Sequence, residues 1–317
     1  MEPIGGYFSL ELPYFEEYHK DALKLNTGRN CLEYILRCRQ YSKVYIPYYT
    51  CDVILEPFQK LGILFDFYHI NLDFEITDYI KLKKTEALLY TNYYGLKQKY
   101  TETLAAKYGQ QLIVDNTQAF YAKPIEGIDV FYTCRKFFGV PDGAYLYINT
   151  KVEEELEQDV SYERMSFLTK RIDLGAEAGY ADFREQSHLL IGQQIRRMSK
   201  LTGRLMQSIN YQRIAEQRRR NFRLLHDSLK DTNLYNIHLD EESVPMVYPY
   251  LTAREGLREL LIQNKIFIAT YWPSVLKFNQ INTSEQQLVN QLLPLPIDQR
   301  YLEEDMNRII KIVQQYA

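Results

Sequence analysis

"YTCRKFFGVPDGAYLYI", residues 132–148, places a lysine, Lys136, just beyond a β-rich apolar run, IDVFYTC, residues 128–134. Phe-Phe-Gly, a Pro-Asp-Gly turn and a second apolar run follow it. Two such runs joined by turn residues read as strands of a buried sheet, and Lys136 stands at the mouth of that sheet. A solvated surface residue is the ordinary reading of a lysine. A nucleophilic amine is the other. The surrounding chain has to decide between them.

Upstream, strand-like and helix-like segments alternate. NCLEYILRC (30–38) carries Leu32, Ile35 and Leu36 at helical spacing. KVYIP (43–47) is a short β-rich run. CDVILEPFQKLG (51–62) reads as a helix stopped by Gly62, with Pro57 awkward in its interior. ILFDFYHI (63–70) and EALLYTNYYG (86–95) are strand-like, the second ending in a turn. YTETLAAKYG (100–109) is a helix closed by glycine, and QLIVD (111–115), IDVFYTC and AYLYI (144–148) are strands. This order predicts an α/β fold with a mostly parallel central sheet and helices on both faces. The second half changes character. Residues 183–230 read as a long helical region. MVYPYL and IFIATYW read as strands around the helix AREGLRELLIQ, and EEDMNRIIKIVQQY as a closing amphipathic helix. The expected organisation is a large domain over 1–220 and a small C-terminal α+β domain over 221–317.

The bulk composition excludes several function classes. Of the 317 residues, 46% are hydrophobic and 25% charged, and the net charge of −3 gives no general attraction to nucleic acid or anionic membrane. The basic stretch RIAEQRRRNFR keeps helical spacing and reads as a solvated or subunit-contact face. No run approaches the roughly 18 apolar residues of a membrane span, and MEPIGGYFSLELPYF lacks the pattern of a signal peptide. Four cysteines form no CxxC pair and five scattered histidines show no metal-ligand spacing, so a cytoplasmic protein without a metal site is expected. The 28 tyrosines are the outlying number. Those of YIPYYT and TNYYGL, Tyr49 and Tyr94 among them, suit either packing or contact with a polar substrate.

Ligands of open α/β sheets sit at the carboxyl ends of the strands, and three features fall there. In LNTGRNCLEYIL, Gly28, Arg29 and Asn30 open a helix, where free N–H groups and the helix dipole favour an anion. The ordinary alternative is an N-cap. In LIVDNTQAF, Asp115 ends a strand and either caps a turn or faces a protonated ring nitrogen. Lys136 follows the next strand. An anion cradle, a carboxylate for a ring nitrogen and an amine nucleophile are together what pyridoxal 5′-phosphate (PLP) requires.

With those residues in view, the chain resembles the DegT-type sugar aminotransferases of PLP fold-type I along nearly all its length. NTGRNCLEYIL resembles their phosphate-binding turn and helix, KVYIPYYTCDVILEPFQKLGI their strand-proline-helix segment, and TNYYG the short turn that follows a strand. VDNTQAF resembles their Asp-x-x-Gln, CRKFFG their lysine segment, RMSKL (197–201) their Arg-Met-Ser region and LLPLPIDQRYLEEDMNRIIKIV their C-terminal ending. The resemblance implies that Lys136 is the Schiff-base lysine, Asp115 the partner of the pyridine nitrogen, and Gln118 a neighbour of the phenolic oxygen. It places Gly28, Arg29, Asn30 and Thr133 around the phosphate, and Tyr49, Tyr94 and Arg197 on the substrate side. It further implies an amino donor such as glutamate, a keto-sugar acceptor and a homodimer.

The chain departs from that pattern at three positions. Phe131 stands where relatives carry a phosphate-binding serine, leaving Thr133 as the nearest hydroxyl. Cys51 stands where they stack an aromatic ring on the cofactor, and Ile195 where they carry an asparagine. The sugar dehydratases of the same family replace the lysine by histidine, so Lys136 points away from that branch. The departures leave two alternatives: a PLP enzyme that does not transaminate, and a degenerate member that binds PLP or a sugar nucleotide as a sensor.

Overall fold

The computed structural model describes residues 4–316. In chain order its strands are β1 (Leu23–Leu25), β2 (Lys43–Pro47), β3 (Leu64–Tyr68), β4 (Glu86–Thr91), β5 (Leu112–Asp115), β6 (Asp129–Thr133), β7 (Ala144–Tyr147), β8 (Val247–Leu251) and β9 (Leu292–Pro296). The α-helices are α1 (Gly28–Arg39), α2 (Leu55–Leu61), α3 (Gln98–Tyr108), α4 (Ser166–Leu174), α5 (Tyr180–Leu189), α6 (Lys200–Met206), α7 (Tyr211–Leu229), α8 (Leu257–Gln263), α9 (Thr283–Gln291) and α10 (Glu303–Gln315).

Seven strands form one sheet in the order β1-β7-β6-β5-β4-β2-β3. The pairs among β2 to β6 are parallel, and β7 pairs antiparallel with both β6 and β1. The central strands are covered on both faces, so nearly every residue is apolar. Their side chains still alternate between two cores. Leu88, Tyr90, Leu112, Val114, Val130, Tyr132 and Tyr145 enter one core, together with Leu104 of α3 and the C-terminal third of the chain. Ala87, Leu89, Ile113, Phe131, Ala144 and Leu146 enter the other, against α1 and α2. The expected mostly parallel sheet with helices on both faces is therefore present.

α1 begins where the sequence signals it. Thr27 is its N-cap, accepting the Asn30 N–H at 3.1 Å, and Leu32, Ile35 and Leu36 face the sheet. Pro57 is accommodated because α2 starts only at Leu55, after a 3₁₀ turn over Asp52–Ile54. Proline is then in the first helical turn, where no backbone N–H partner is lost.

Two expectations in the second half are corrected. The long helical region is broken into α5, α6 and α7. Gly192 takes φ +70°, and residues 190–199 run past β1, where Met198 N–H donates to the Lys24 carbonyl at 3.1 Å. IFIATYW is not a strand. Lys265 and Trp272 have φ of +60° and +71°, and the strand that pairs with β8 is β9, from LLPLP. α7 packs against α10 and β8 as one continuous helix. Among the described residues no helix is long and apolar enough to cross a membrane, and no cluster of three metal-ligating side chains occurs.

The loop after β6 is fastened on both sides. Cys134 N–H donates to the Gly143 carbonyl at 3.0 Å, and Gly143 N–H donates to the Asn26 carbonyl at 2.7 Å. Gly143 has φ +100°, and a Cβ there would lie 2.7 Å from Thr202 Cγ2 and 3.1 Å from Cys134 Sγ. Gly143→Ala combines left-handed strain with overpacking, and it should cost about 2–4 kcal/mol. Chemical denaturation checks this: the midpoint should fall while the slope stays unchanged.

Candidate active site

The carboxyl ends of β4, β5 and β6 and the N-terminus of α1 converge on a cavity of about 500 Å³. Such a volume is within the range of small-ligand sites. Parallel neighbours finish at the same edge, so register alone brings Thr91 and then Asp115 and Phe131 side by side. Asp115 shares the alternation of Ile113 and therefore leaves the strand on the α1 side of the sheet. The loop carrying Lys136 returns over this edge because Phe137 and Phe138 N–H both donate to the Cys134 carbonyl, at 3.1 and 3.0 Å.

Thr117 joins the two predicted catalytic residues. Its backbone N–H donates to Asp115 Oδ1 at 2.8 Å, and its Oγ1 accepts from Lys136 Nζ at 3.0 Å. Asp115 is 7% exposed and has no ion pair among the described residues. Burial pushes its carboxyl pKa above the ordinary range, against the opposing pull of the Lys136 charge and the Thr117 hydrogen bonds. Lys136 itself is accessible from solvent, as an amine at a cavity mouth must be to react.

Six of the predicted site residues line the cavity: Gly28, Arg29, Cys51, Asp115, Thr133 and Lys136. A Cβ on Gly28 would touch Thr117 Cγ2 at 3.4 Å and Phe131 and Thr133 at 3.9 Å, so the absence of a side chain keeps the end of α1 open. Phe131 is buried beneath that turn as packing. Arg29 Nη1 is held by Glu56 Oε2 at 2.5 Å, so its charge is already compensated. Burial raises the Cys51 thiol pKa, which leaves it a neutral wall rather than a nucleophile.

Five predicted residues lie outside the cavity wall. Asn30 is buried and donates to the Gln193 carbonyl at 3.0 Å, fastening α1 to the 190s segment. Gln118 Oε1 accepts from Tyr94 N–H at 3.0 Å, while its Nε2 is buried without a partner. Tyr49 and Tyr94 are fully buried, with hydroxyls 3.4 Å apart. They act as backing: Tyr49 packs on Trp272 and Tyr94 on Tyr271, and those two outer rings line the cavity. Arg197 is exposed in a separate depression beside Lys24 and Gln158. There a backbone bridge pairs residue 197 with residue 25 of β1. Ile195 is core, packed with Leu25 and Leu146.

No family model matches the sequence, and no curated protein is similar to it at the sequence level. Solved structures are. S. venezuelae DesV superposes with a TM-score of 0.64 at 17% identity, covering 93% of this chain and 84% of that one. A DegT DnrJ EryC1 StrS aminotransferase from Brucella abortus gives 0.62 at 16% identity, covering 93% and 85%. The E. coli GDP-4-keto-6-deoxy-D-mannose-3-dehydratase, solved with bound hydrated PLP, gives 0.60 at 16% identity, covering 92% and 87%. The chain has the PLP fold-type I architecture.

Among the cavity residues that the sequence reading missed are Thr117, Thr91 and Arg135. Thr117 had a local signal, since an Asp two residues before a free N–H forms an Asx turn. Thr91 shows none in sequence, yet its buried hydroxyl lines the cavity without a partner. Arg135 was overshadowed by its neighbour Lys136. An open helix end, an unpartnered hydroxyl, a buried carboxylate without a cation and a reachable amine suit a flat, polar, phosphorylated ring.

The raised Asp115 pKa has a sign that can be checked without any ligand. A buried acid whose folded pKa is raised lowers stability above its unfolded value of 3.8, and the loss is complete above the folded pKa. Asp115→Asn keeps the acceptor for Thr117 N–H and removes the charge. In the ligand-free protein its thermal midpoint should exceed that of wild type at pH 7. The gain should shrink as pH falls and vanish near pH 3.8.

Proposed function

We propose that the protein is a PLP-dependent aminotransferase that moves an amino group from a donor such as glutamate to a keto-sugar, in amino-sugar or surface-polysaccharide biosynthesis. The observation that carries the reading is the hydrogen-bonded line from Lys136 Nζ through Thr117 to Asp115 on the floor of the cavity. The fold of DesV, the Brucella aminotransferase and the E. coli dehydratase supports it. The name of the last points to a nucleotide-linked acceptor.

When bound, PLP supplies an electron sink for the bonds around the amino-bearing carbon. The chain's own residues supply the rest. Lys136 would hold the aldehyde carbon of the cofactor, and its Nζ, when free, would take the proton from the donor's α-carbon and deliver one to the aminated carbon of the acceptor. Asp115 holds a proton at the ring nitrogen, and the two Thr117 hydrogen bonds fix both catalytic groups in one frame. The free N–H groups at the start of α1 and the Thr133 hydroxyl hold the phosphate. Tyr271 and Trp272 shield the opening from water. The same reading includes a homodimer, a cytoplasmic location and two domains, over 1–220 and 221–317.

Absorbance of the purified protein with added PLP tests this directly. Wild type should show a visible band that borohydride bleaches and fixes covalently, and Lys136→Ala should show neither. With glutamate and a panel of keto-sugars, wild type should turn over. Asp115→Asn should lose about 10²-fold or more in kcat, the scale of removing one electrostatic stabiliser. A wild type that binds PLP but performs no half-reaction with any amino donor would assign a sensor instead.

A further inference from the structure

Arg135, the residue before Lys136, lines the same cavity in an unusual electrostatic state. Two other arginines at this edge are committed to carboxylates. Arg29 pairs with Glu56 at 2.5 Å, and Arg164 with Asp142 and Asp159 at 2.5 Å. Arg135 has no carboxylate within ion-pair range among the described residues. Its Nε is buried without any partner, and its one side-chain hydrogen bond is a long 3.4 Å contact from Nη2 to Ser187 Oγ. Two rings flank it, with the guanidinium carbon 5.4 Å from the Phe183 centroid and 5.9 Å from that of Phe167. Burial pulls its pKa down, the Asp142 carboxylate opposes that, and the nearby charges of Arg29 and Arg164 add to it. Arginine nevertheless stays protonated in a protein. The result is a partly desolvated cation, held in place by aromatic faces, with donors unspent and no direct ion-pair partner among the described residues.

We propose that Arg135 is the anion-binding cation of this cavity and receives an oxyanion carried by the ligand. The proposal rests on the PLP reading above for the identity of that oxyanion. Two sources share the chemistry: the phosphate monoester of the cofactor and the carboxylate of the amino donor. Either suits a guanidinium fork, which offers two parallel N–H donors. A phosphate at the start of α1 gains nothing from Phe131 and finds the Arg29 charge already taken by Glu56, so a further cation is needed there. A donor carboxylate next to Lys136 has the same need, because Asp115 adds negative charge to the same space.

The test compares wild type, Arg135→Gln and Arg135→Lys by absorbance titration with PLP and with pyridoxal, which lacks the phosphate. Each PLP-loaded protein is then titrated with L-glutamate in single-turnover half-reactions. A loss of tenfold or more in PLP affinity for Arg135→Gln, with pyridoxal affinity unchanged and partial recovery in Arg135→Lys, supports the proposal with phosphate as the source. Unchanged PLP affinity with a tenfold or greater rise in the glutamate saturation constant supports it with the carboxylate as the source. Equal weakening of PLP and pyridoxal, or changes below twofold throughout, overturns it. Should wild type bind no PLP, the function proposed above fails and inorganic phosphate becomes the probe. A thermal midpoint raised by phosphate in wild type and not in Arg135→Gln supports the anion site, and an equal response in the two overturns it.

Discussion

A carboxylate buried at the end of a parallel strand, with no ion-pair partner, is the constraint around which this molecule is organised. Asp115 reaches the cavity because β5 lies between β4 and β6 and all three run the same way. A sheet covered on both faces has few places to put a polar group, and its carboxyl edge is one. The cost of placing Asp115 there is visible in its raised pKa. The Thr117 N–H and the Lys136 charge offset part of that cost. A cation brought by a ligand would offset the remainder, which is the sense in which the site is prepared for a protonated ring.

Positive charge at this edge is distributed by the same logic. Arg29 opens α1, yet its guanidinium is drawn aside by Glu56, whose other oxygen accepts from Gly192 N–H at 2.8 Å. The helix end therefore offers backbone dipoles and a glycine-sized gap rather than a side-chain cation. Lys136 is hydrogen-bonded to a neutral hydroxyl, and Arg135 is enclosed by phenylalanines. Lys136 and Arg135 thus line the cavity with Asp115 while neither is in an ion pair among the described residues. The α4–α5 segment completes this arrangement, supplying Phe167 from α4 with Phe183 and Ser187 from α5.

Much of the fold was legible because its signals are local. β2 occupies the five residues read from KVYIP, and α10 ends the chain where the amphipathic period places it. The failures share a cause. IFIATYW has strand composition, but a ladder needs a partner, and β8 pairs instead with LLPLP, two prolines notwithstanding. The freed segment contributes Tyr271 and Trp272 to the cavity. The helical period of 183–230 is real, yet the backbone leaves the helix where β1 offers better hydrogen bonds.

The sequence by itself determined the strand and helix segments of the first half, the end of β5 at Asp115 and the position of Lys136 beyond β6, because periodicity, capping and turn chemistry act over a few residues. Tertiary structure alone decided which side chains share a space. It joined Asp115 to Lys136 through Thr117, withdrew Tyr49 and Tyr94 behind Trp272 and Tyr271, placed Arg197 in a separate depression and left the Arg135 Nε without a partner. Strand order and register set those outcomes, and both depend on pairings between residues far apart in the chain, which no local pattern encodes.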